Sequence, residues 1–153
     1  YAEALNELTP GKSYTVERYN GETMTVQRDV NEMRSAMKPI RMRAGVPDFD
    51  DVIYANQELF RTALKRERQI ELVGENCFRY YDLRRWKDAL LEENQPLMGC
   101  NINISDDVTR VQEFYRPTVV ASMPKVFTQR MYLWPFPDKE MKRNVNLTQN
   151  PGW

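Results

Sequence analysis

Histidine is absent from this 153-residue chain, and cysteine occurs only twice. Because histidine is the commonest general base near neutral pH and a frequent metal ligand, its absence disfavours most acid–base and metal chemistry. Cys77 and Cys100 match neither a disulfide framework nor a CxxC metal motif. We therefore expect two free, buried thiols, no metal site and no cofactor.

Net charge and long apolar runs are also lacking. The 22 basic residues balance the 22 acidic ones, so the chain has no overall positive field with which to collect nucleic acid. Apolar runs such as 89–91 and 119–121 are far shorter than the about 20 residues of a membrane-spanning helix. The first residues show no basic leader followed by an apolar stretch. We expect no nucleic-acid partner and no transmembrane segment.

Apolar side chains at helical spacing dominate residues 1–92. No Ser, Thr, Asp or Asn precedes the first helical pattern as a cap, so we expect the chain to begin inside a helix and to lack an N-terminal part of the natural protein. Asp29 is placed to cap a second helix, which Pro39 should kink or split. Gly45 should end that helix.

The clearest helix is predicted from about Asn56 to Val73, with Gly74 as its stop signal. Asp82 is placed to cap a further helix after a short connection. The inward stripe of the first of these helices comprises Leu59, Phe60, Ala63, Leu64, Ile70 and Val73. The second should carry Leu83, Trp86 and Leu90 inward.

A β-hairpin is predicted where residues 14–28 alternate around an Asn-Gly pair. A two-residue turn would pair Val16 with Thr25. A three-residue loop over residues 20–22 would instead pair Val16 with Val26 on one apolar face, and we prefer that register.

Proline recurs throughout residues 93–153 between short β-prone stretches. The stretches at 101–104, 119–121 and 126–133 are candidate strands, and Asp138 is placed to cap one turn of helix. The predicted fold is therefore mainly α, with a small hairpin and a loop-rich C-terminal part containing short strands.

Glu67 and Glu71 lie four residues apart on one helix, a spacing that acid–base hydrolysis or a metal site could use. A carboxylate on an apolar stripe is more commonly held by a guanidinium, however. If the next helix packs antiparallel, Arg84 and Arg85 face the two glutamates. We therefore predict a structural ion network of Glu67, Glu71, Arg84 and Arg85, and we name no catalytic residue because no nucleophile motif is present.

Aromatic side chains could stack on sugar rings, because an aromatic face offers apolar area to the C–H face of a pyranose. Within the helical part, Phe78, Tyr81 and Trp86 are predicted to be core residues. Trp134 and Trp153, in the loop-rich part, are the candidates for ligand contact.

Several motifs in order along the chain resemble those of one family. The run 65–72 followed by 78–86 resembles the "RERRIEL…RFFDLRRW" signature of the SusD/RagB family. The other matching runs are 1–7 (family "YAEALNE"), 43–47 (family "RAGxP"), and 133–137 with 144–153 (family "PIP…NPNLxQNPGY").

The resemblance implies tetratricopeptide-like helix pairs, with residues 1–153 forming the C-terminal segment of a single SusD/RagB-like domain, helical over 1–92 and loop-rich over 93–153. It also implies a surface-exposed lipoprotein of the outer membrane in Bacteroidetes-type bacteria. Such a protein caps a SusC-like TonB-dependent transporter and delivers oligosaccharides or peptides to it. Its lipid anchor, an N-terminal cysteine, lies outside this chain, and members bind without catalysing.

Two other functions compete with this expectation. A tetratricopeptide-like scaffold that binds only protein would use all its aromatic residues as core and bind no glycan. A hydrolase based on Glu67 and Glu71 is disfavoured by the surrounding arginines and the missing histidine.

Overall fold

The structure, a computed structural model, describes residues 1–101, 110–120 and 124–153. They form two compact units, Tyr1–Glu75 and Asn76–Trp153. The fold is mainly helical with a small antiparallel hairpin, which confirms the predicted fold class. Among the described residues, none of the helices is long and apolar enough to cross a membrane.

The first unit consists of four helices and a hairpin. Its elements are α1 (Ala2–Asn6), β1 (Ser13–Glu17), β2 (Thr23–Gln27), α2 (Val30–Arg43), α3 (Asp51–Ala55) and α4 (Gln57–Glu71). Within the described part of the second unit, short elements alternate with loops. They are α5 (Phe78–Arg85), α6 (Ala89–Glu92), β3 (Met98–Gly99), α7 (Val111–Phe114), β4 (Thr118–Val119), a 3-10 helix (Gln129–Tyr132) and α8 (Asp138–Arg143).

Helix α2 begins and ends as its sequence predicts. The backbone N–H of Glu32 donates to the Asp29 carboxylate at 2.9 Å, which caps the helix. At the other end, Gly45 takes a left-handed φ of +71°, and the N–H of Val46 reaches back to the carbonyl of Arg41 at 3.0 Å. This 6→1 bond marks a Schellman ending.

Pro39 does not split α2, which runs through it, so that alternative of the prediction is wrong. Proline removes the N–H that would have bonded to the carbonyl of Ser35. Both Pro39 and Ser35 lie on the exposed side of the helix, so water can satisfy that carbonyl.

We expect Gly45→Ala to lower the free energy of unfolding by about 1 kcal/mol, because a Cβ disfavours the left-handed conformation. The position is otherwise open, with no atom within 4 Å of the added Cβ, so the loss is conformational and not steric. Urea unfolding measures it, with Ala44→Gly as the neighbouring control. An unchanged stability would contradict the Schellman assignment.

The hairpin has a three-residue loop, as predicted, but the loop lies at residues 19–21 and not 20–22. Arg18 and Glu22 are joined by a backbone bond of 2.7 Å, and Gly21, at φ +80°, donates to the carbonyl of Arg18 at 2.9 Å. This geometry is a type I turn closed by a left-handed glycine. Consequently Val16 pairs with Met24, and both registers considered from the sequence are wrong.

The core of the first unit is formed by α1, α2, α3 and α4. Its buried side chains are Ala2, Leu5, Met33, Met37, Tyr54, Phe60 and Leu64. The rings of Tyr54 and Phe60 lie 5.3 Å apart between centroids. Leu59, Ile70 and Val73, which were predicted to be buried, are exposed. The inward stripe of α4 is thus narrower than its periodicity predicts.

Helix α5 begins five residues earlier than predicted, with Cys77 and not Asp82 at its N-cap position. Asp82 is therefore not a cap but a buried residue inside the helix, where it accepts a hydrogen bond from Arg85 at 2.8 Å. Phe78 and Tyr81 are exposed, which corrects their assignment to the core, and Trp86 is half-buried. The core of the second unit instead contains Leu83, Ala89 and Phe127.

The predicted strand over 126–133 is wrong, since its second half forms the 3-10 helix. Its first half is held by a side chain: Asn94 accepts from the N–H of Phe127 at 2.8 Å and donates to its carbonyl at 2.9 Å. The Asn94 side chain thus makes the two backbone hydrogen bonds that a neighbouring strand would make with Phe127. The predicted strands over 101–104 and 119–121 lie partly outside the described residues, and of the second one β4 includes Val119.

Two smaller expectations also need correction. Cys77 and Cys100 are free, as expected, but exposed. At the start of α8, the N-cap position belongs to Pro137, and Asp138 is the first helical residue.

Candidate functional site

The glutamates of α4 form ion pairs with α2, which corrects the pairing predicted from the sequence. Glu67 accepts from Arg41 at 2.5 Å, and both side chains are largely buried, at 13% and 15% exposure. Glu71 pairs with Arg43, which is mostly exposed. The two predicted arginine partners have contacts within the second unit: Arg84 donates to the carbonyl of Tyr80 and covers its ring, and Arg85 pairs with Asp82.

Arg41 also holds the loop that follows α2. Its Nε donates to the carbonyl of Pro47 at 2.7 Å, and its guanidinium lies 4.0 Å from the ring centroid of Phe49. With Glu67 included, this one side chain joins α2, α4 and the loop between α2 and α3. Arg41 thus supplies the buried carboxylate of Glu67 with a counter-charge from within the protein.

Tyr54, which is buried, and Asp48, which is partly buried, form a second polar contact in the first unit. The phenol donates to Asp48 at 2.8 Å, and the guanidinium of Arg34 lies 4.7 Å from the Tyr54 ring centroid. Burial raises the pKa of the Tyr54 phenol, and the hydrogen bond to Asp48 raises that pKa further. The phenol therefore stays protonated as a donor and does not serve as a base.

Asn6 is a buried polar residue that no pattern in the sequence singled out. Its side-chain amide donates to the carbonyl of Gln57 at 3.0 Å and accepts from Arg28 at 2.9 Å. Gln57 returns a bond to the carbonyl of Asn6, and Arg28 also donates to the carbonyl of Tyr54 at 2.8 Å. These bonds tie α1 to the chain segments on either side of α2.

A cavity of about 330 Å³ opens among α1, α2 and α4. Its floor is apolar, and its charged rim includes Glu67 and Glu71, which are already paired. The lining consists of Tyr1, Ala2, Glu3, Ala36, Met37, Ile40, Leu64, Glu67, Arg68, Glu71 and Leu72. Such a surface suits an apolar group better than a sugar, whose hydroxyls need free hydrogen-bonding partners.

Trp153, a predicted ligand contact, is committed to the protein itself. Its indole N–H donates to the carbonyls of Arg130 and Leu133 at 3.1 and 3.0 Å. The guanidinium of Arg130 lies 4.6 Å from the indole centroid and donates to the carbonyl of Gly152 at 3.2 Å. The C-terminal tail, residues 144–153, is thereby held against the 3-10 helix. Trp153 is consequently less available for stacking on a sugar ring.

Trp134, the other predicted contact, is 79% exposed. Its backbone is held by Asn150, whose side chain donates to the Trp134 carbonyl at 2.5 Å. Gln149 pairs with both backbone groups of Phe136, at 2.8 and 3.0 Å. The indole is therefore exposed on a backbone that the tail holds in place.

A second cavity, of about 390 Å³, lies where the tail meets the 3-10 helix. We call it the Lys87–Arg130 cavity. Its lining consists of Lys87, Gln129, Arg130, Tyr132, Leu133, Pro151 and Gly152. It combines two cations, one amide and an apolar wall, which are the groups that a small polar ligand requires. The sequence offered Trp134 and Trp153 as ligand contacts and did not single out Lys87, which is distant along the chain from the other lining residues.

These sites contain binding groups and structural ion pairs. Among the described residues there is no cluster of three or more His, Cys, Asp and Glu side chains that could hold a metal ion. The first unit consists of paired helices with a hairpin, and the second unit contributes a cavity built mostly from loop residues.

The chain belongs to the SusD family: the family model SusD_RagB matches residues 1–153. The match spans both units and confirms the family resemblance of the sequence motifs.

Two relatives are several times longer than this chain. A SusD-like protein P2 from Formosa agariphila is 28% identical over 153 residues, which cover 99% of this chain and 23% of the relative. A SusD-like protein from Bacteroides fragilis, known from a crystal structure, has 30% sequence identity to this chain and superposes on it with a TM-score of 0.62. The match covers 82% of this chain and 22% of that protein. The chain thus spans less than a quarter of either relative.

Proposed function

We propose that the protein containing this chain binds nutrients, foremost oligosaccharides, at the outer membrane of a bacterium. The observation that carries this proposal is the SusD family match over all 153 residues, supported by the similarity to a solved SusD-like structure. Members of this family bind their ligands without transforming them. The chemistry of the described residues agrees, since Glu67 is committed to Arg41.

The finer part of the proposal concerns delivery. The protein is held at the cell surface by a lipid anchor outside this chain and passes its ligand, an oligosaccharide or a peptide, to a SusC-like TonB-dependent transporter. The resemblance of the sequence motifs to the SusD/RagB family supports this part. No cofactor is required, because binding and transfer involve no covalent change.

The test uses the natural full-length gene product. A glycan array should reveal at least one bound glycan class, and affinity purification from native membranes should recover a TonB-dependent transporter. Incubation with the bound glycan should leave it uncleaved. A protein that binds no glycan and recovers only soluble partners would favour the tetratricopeptide-like scaffold, and cleavage would favour a hydrolase.

A further inference from the structure

The Lys87–Arg130 cavity carries two positive charges and no negative one. Within the part of the chain that the structure describes, no carboxylate forms an ion pair with Lys87 or Arg130. Each cation instead lies over an aromatic ring: Lys87 Nζ is 4.5 Å from the Tyr132 centroid, and Arg130 lies over Trp153. Asp88 follows Lys87 in sequence but does not line the cavity. Cations without a counter-charge in a concave site attract an anion.

The backbone at Lys87 adopts a conformation that usually requires glycine. Lys87 has a φ of +63° and follows α5, where its N–H donates to the carbonyl of Arg84 at 3.2 Å and that of Asp88 donates to Leu83 at 2.9 Å. These two bonds form a Schellman ending, whose left-handed position is normally glycine. A lysine that strains the backbone here indicates a use for its side chain.

The walls of the cavity are held in place before any ligand arrives. Tyr132 donates to the carbonyl of Lys87 at 2.8 Å and accepts from the N–H of Leu90 at 2.9 Å. On the other side, Gly152 packs so closely that an added Cβ would lie 2.9 Å from the Cβ of Arg130. Because these contacts fix the backbone of the walls, ligand binding has only the exposed side chains of Lys87 and Arg130 to order.

We propose that the Lys87–Arg130 cavity binds the acidic group, carboxylate or sulfate, of a sugar residue. This inference rests on the proposed oligosaccharide binding and narrows the ligand class to acidic glycans. The cavity volume of about 390 Å³ falls in the range of small-molecule sites. The two cations would bind the acidic group, while Leu133 and Pro151 would contact the C–H face of the ring.

The decisive variant is Lys87→Gly in the full-length protein. It removes one charge and also relieves the left-handed strain, so we expect a melting temperature that is unchanged or higher. Binding of the acidic glycan selected on an array should weaken at least tenfold in calorimetric titration. Added salt should lower the affinity of the wild type more steeply than that of the variant. The reason is that the variant has one charge fewer in the cavity for salt to screen.

Lys12→Ala serves as the matched control. Lys12 lies 4.9 Å from the ring centroid of Tyr14 in the first unit, so this variant removes a lysine and a cation–ring contact outside the cavity. Its glycan affinity should equal that of the wild type. If Lys12→Ala weakens binding as much as Lys87→Gly, the effect is one of overall charge and the site assignment fails.

The array should contain oligogalacturonate, sulfated galactose oligomers and neutral galactose oligomers, which separate carboxylate from sulfate recognition. Preference for either acidic series, lost in Lys87→Gly, supports the inference. Preference for neutral glycans only, or acidic-glycan binding that Lys87→Gly leaves intact, overturns the inference but not the proposed function. Absence of any glycan binding overturns both.

Discussion

Replacing Glu67 by alanine should lower the free energy of unfolding by about 3 kcal/mol. The variant leaves the guanidinium of Arg41, whose side chain is only 15% exposed, without its carboxylate. Arg41 cannot turn to water without releasing the carbonyl of Pro47 and the ring of Phe49. Urea unfolding of the full-length protein, followed by circular dichroism, measures the loss.

Glu71→Ala is the matched control one helical turn away. Its partner, Arg43, is 68% exposed and remains solvated after the change. We expect a loss below about 1 kcal/mol, as for exposed ion pairs in general. Similar losses in the two variants would contradict the distinction between a buried and a solvated pair.

A double substitution tests the cause of the effect. Replacing both Arg41 and Glu67 by methionine removes the stranded charge while filling much of the volume. We expect this variant to be more stable than Glu67→Ala, because the desolvation cost of the unpaired guanidinium is gone. A double variant less stable than Glu67→Ala would instead assign the effect to the contacts of Arg41 with the loop.

Asn6→Ala should also lower the free energy of unfolding by roughly 3 kcal/mol, because it removes buried hydrogen bonds. Asn6 is 1% exposed, and its amide satisfies both Arg28 and the carbonyl of Gln57. Alanine removes one hydrogen bond from the carbonyl of Gln57, leaves part of the Arg28 guanidinium without a partner, and creates a small cavity. Thermal or urea unfolding of the full-length protein measures the loss.

Two comparisons isolate the hydrogen bonds. Asn31→Ala, on the exposed side of α2, should change stability by less than about 0.5 kcal/mol. In an Arg28→Met background, Asn6→Ala should cost less than in the wild type, since no guanidinium is then stranded. An equal cost in the two backgrounds would show that Asn6 and Arg28 act independently.

Features that depend on near neighbours were predictable from sequence. Asp29 and Asn56 cap their helices, and Gly45 and Gly74 follow the ends of α2 and α4 with left-handed φ angles. Each depends on groups a few residues away, so local residue preferences are sufficient. The family motifs could likewise be recognised in the sequence, because each is a run of adjacent residues.

Predictions from local features were wrong where a residue of another type could end a helix, or where a capping residue had a different role. Lys87 ends α5 in a glycine-like conformation, so no glycine marked that end. Asp82 resembled a helix cap but lies inside α5, where Arg85 pairs with it. The hairpin loop had the predicted length, but its left-handed residue, Gly21, stands last in the loop and moves the register by two.

The sequence by itself determined the fold class, the family and the ends of α2 and α4, because these depend on periodicity and contiguous residues. Only the tertiary structure decided which arginine meets Glu67, a partner 26 residues away, and which groups bury Asn6, whose partner Gln57 is 51 residues away. It also decided that Trp153 supports a cavity to which Lys87 contributes a charge. Side chains of one type compete for such distant partners, and only packing in three dimensions selects among them.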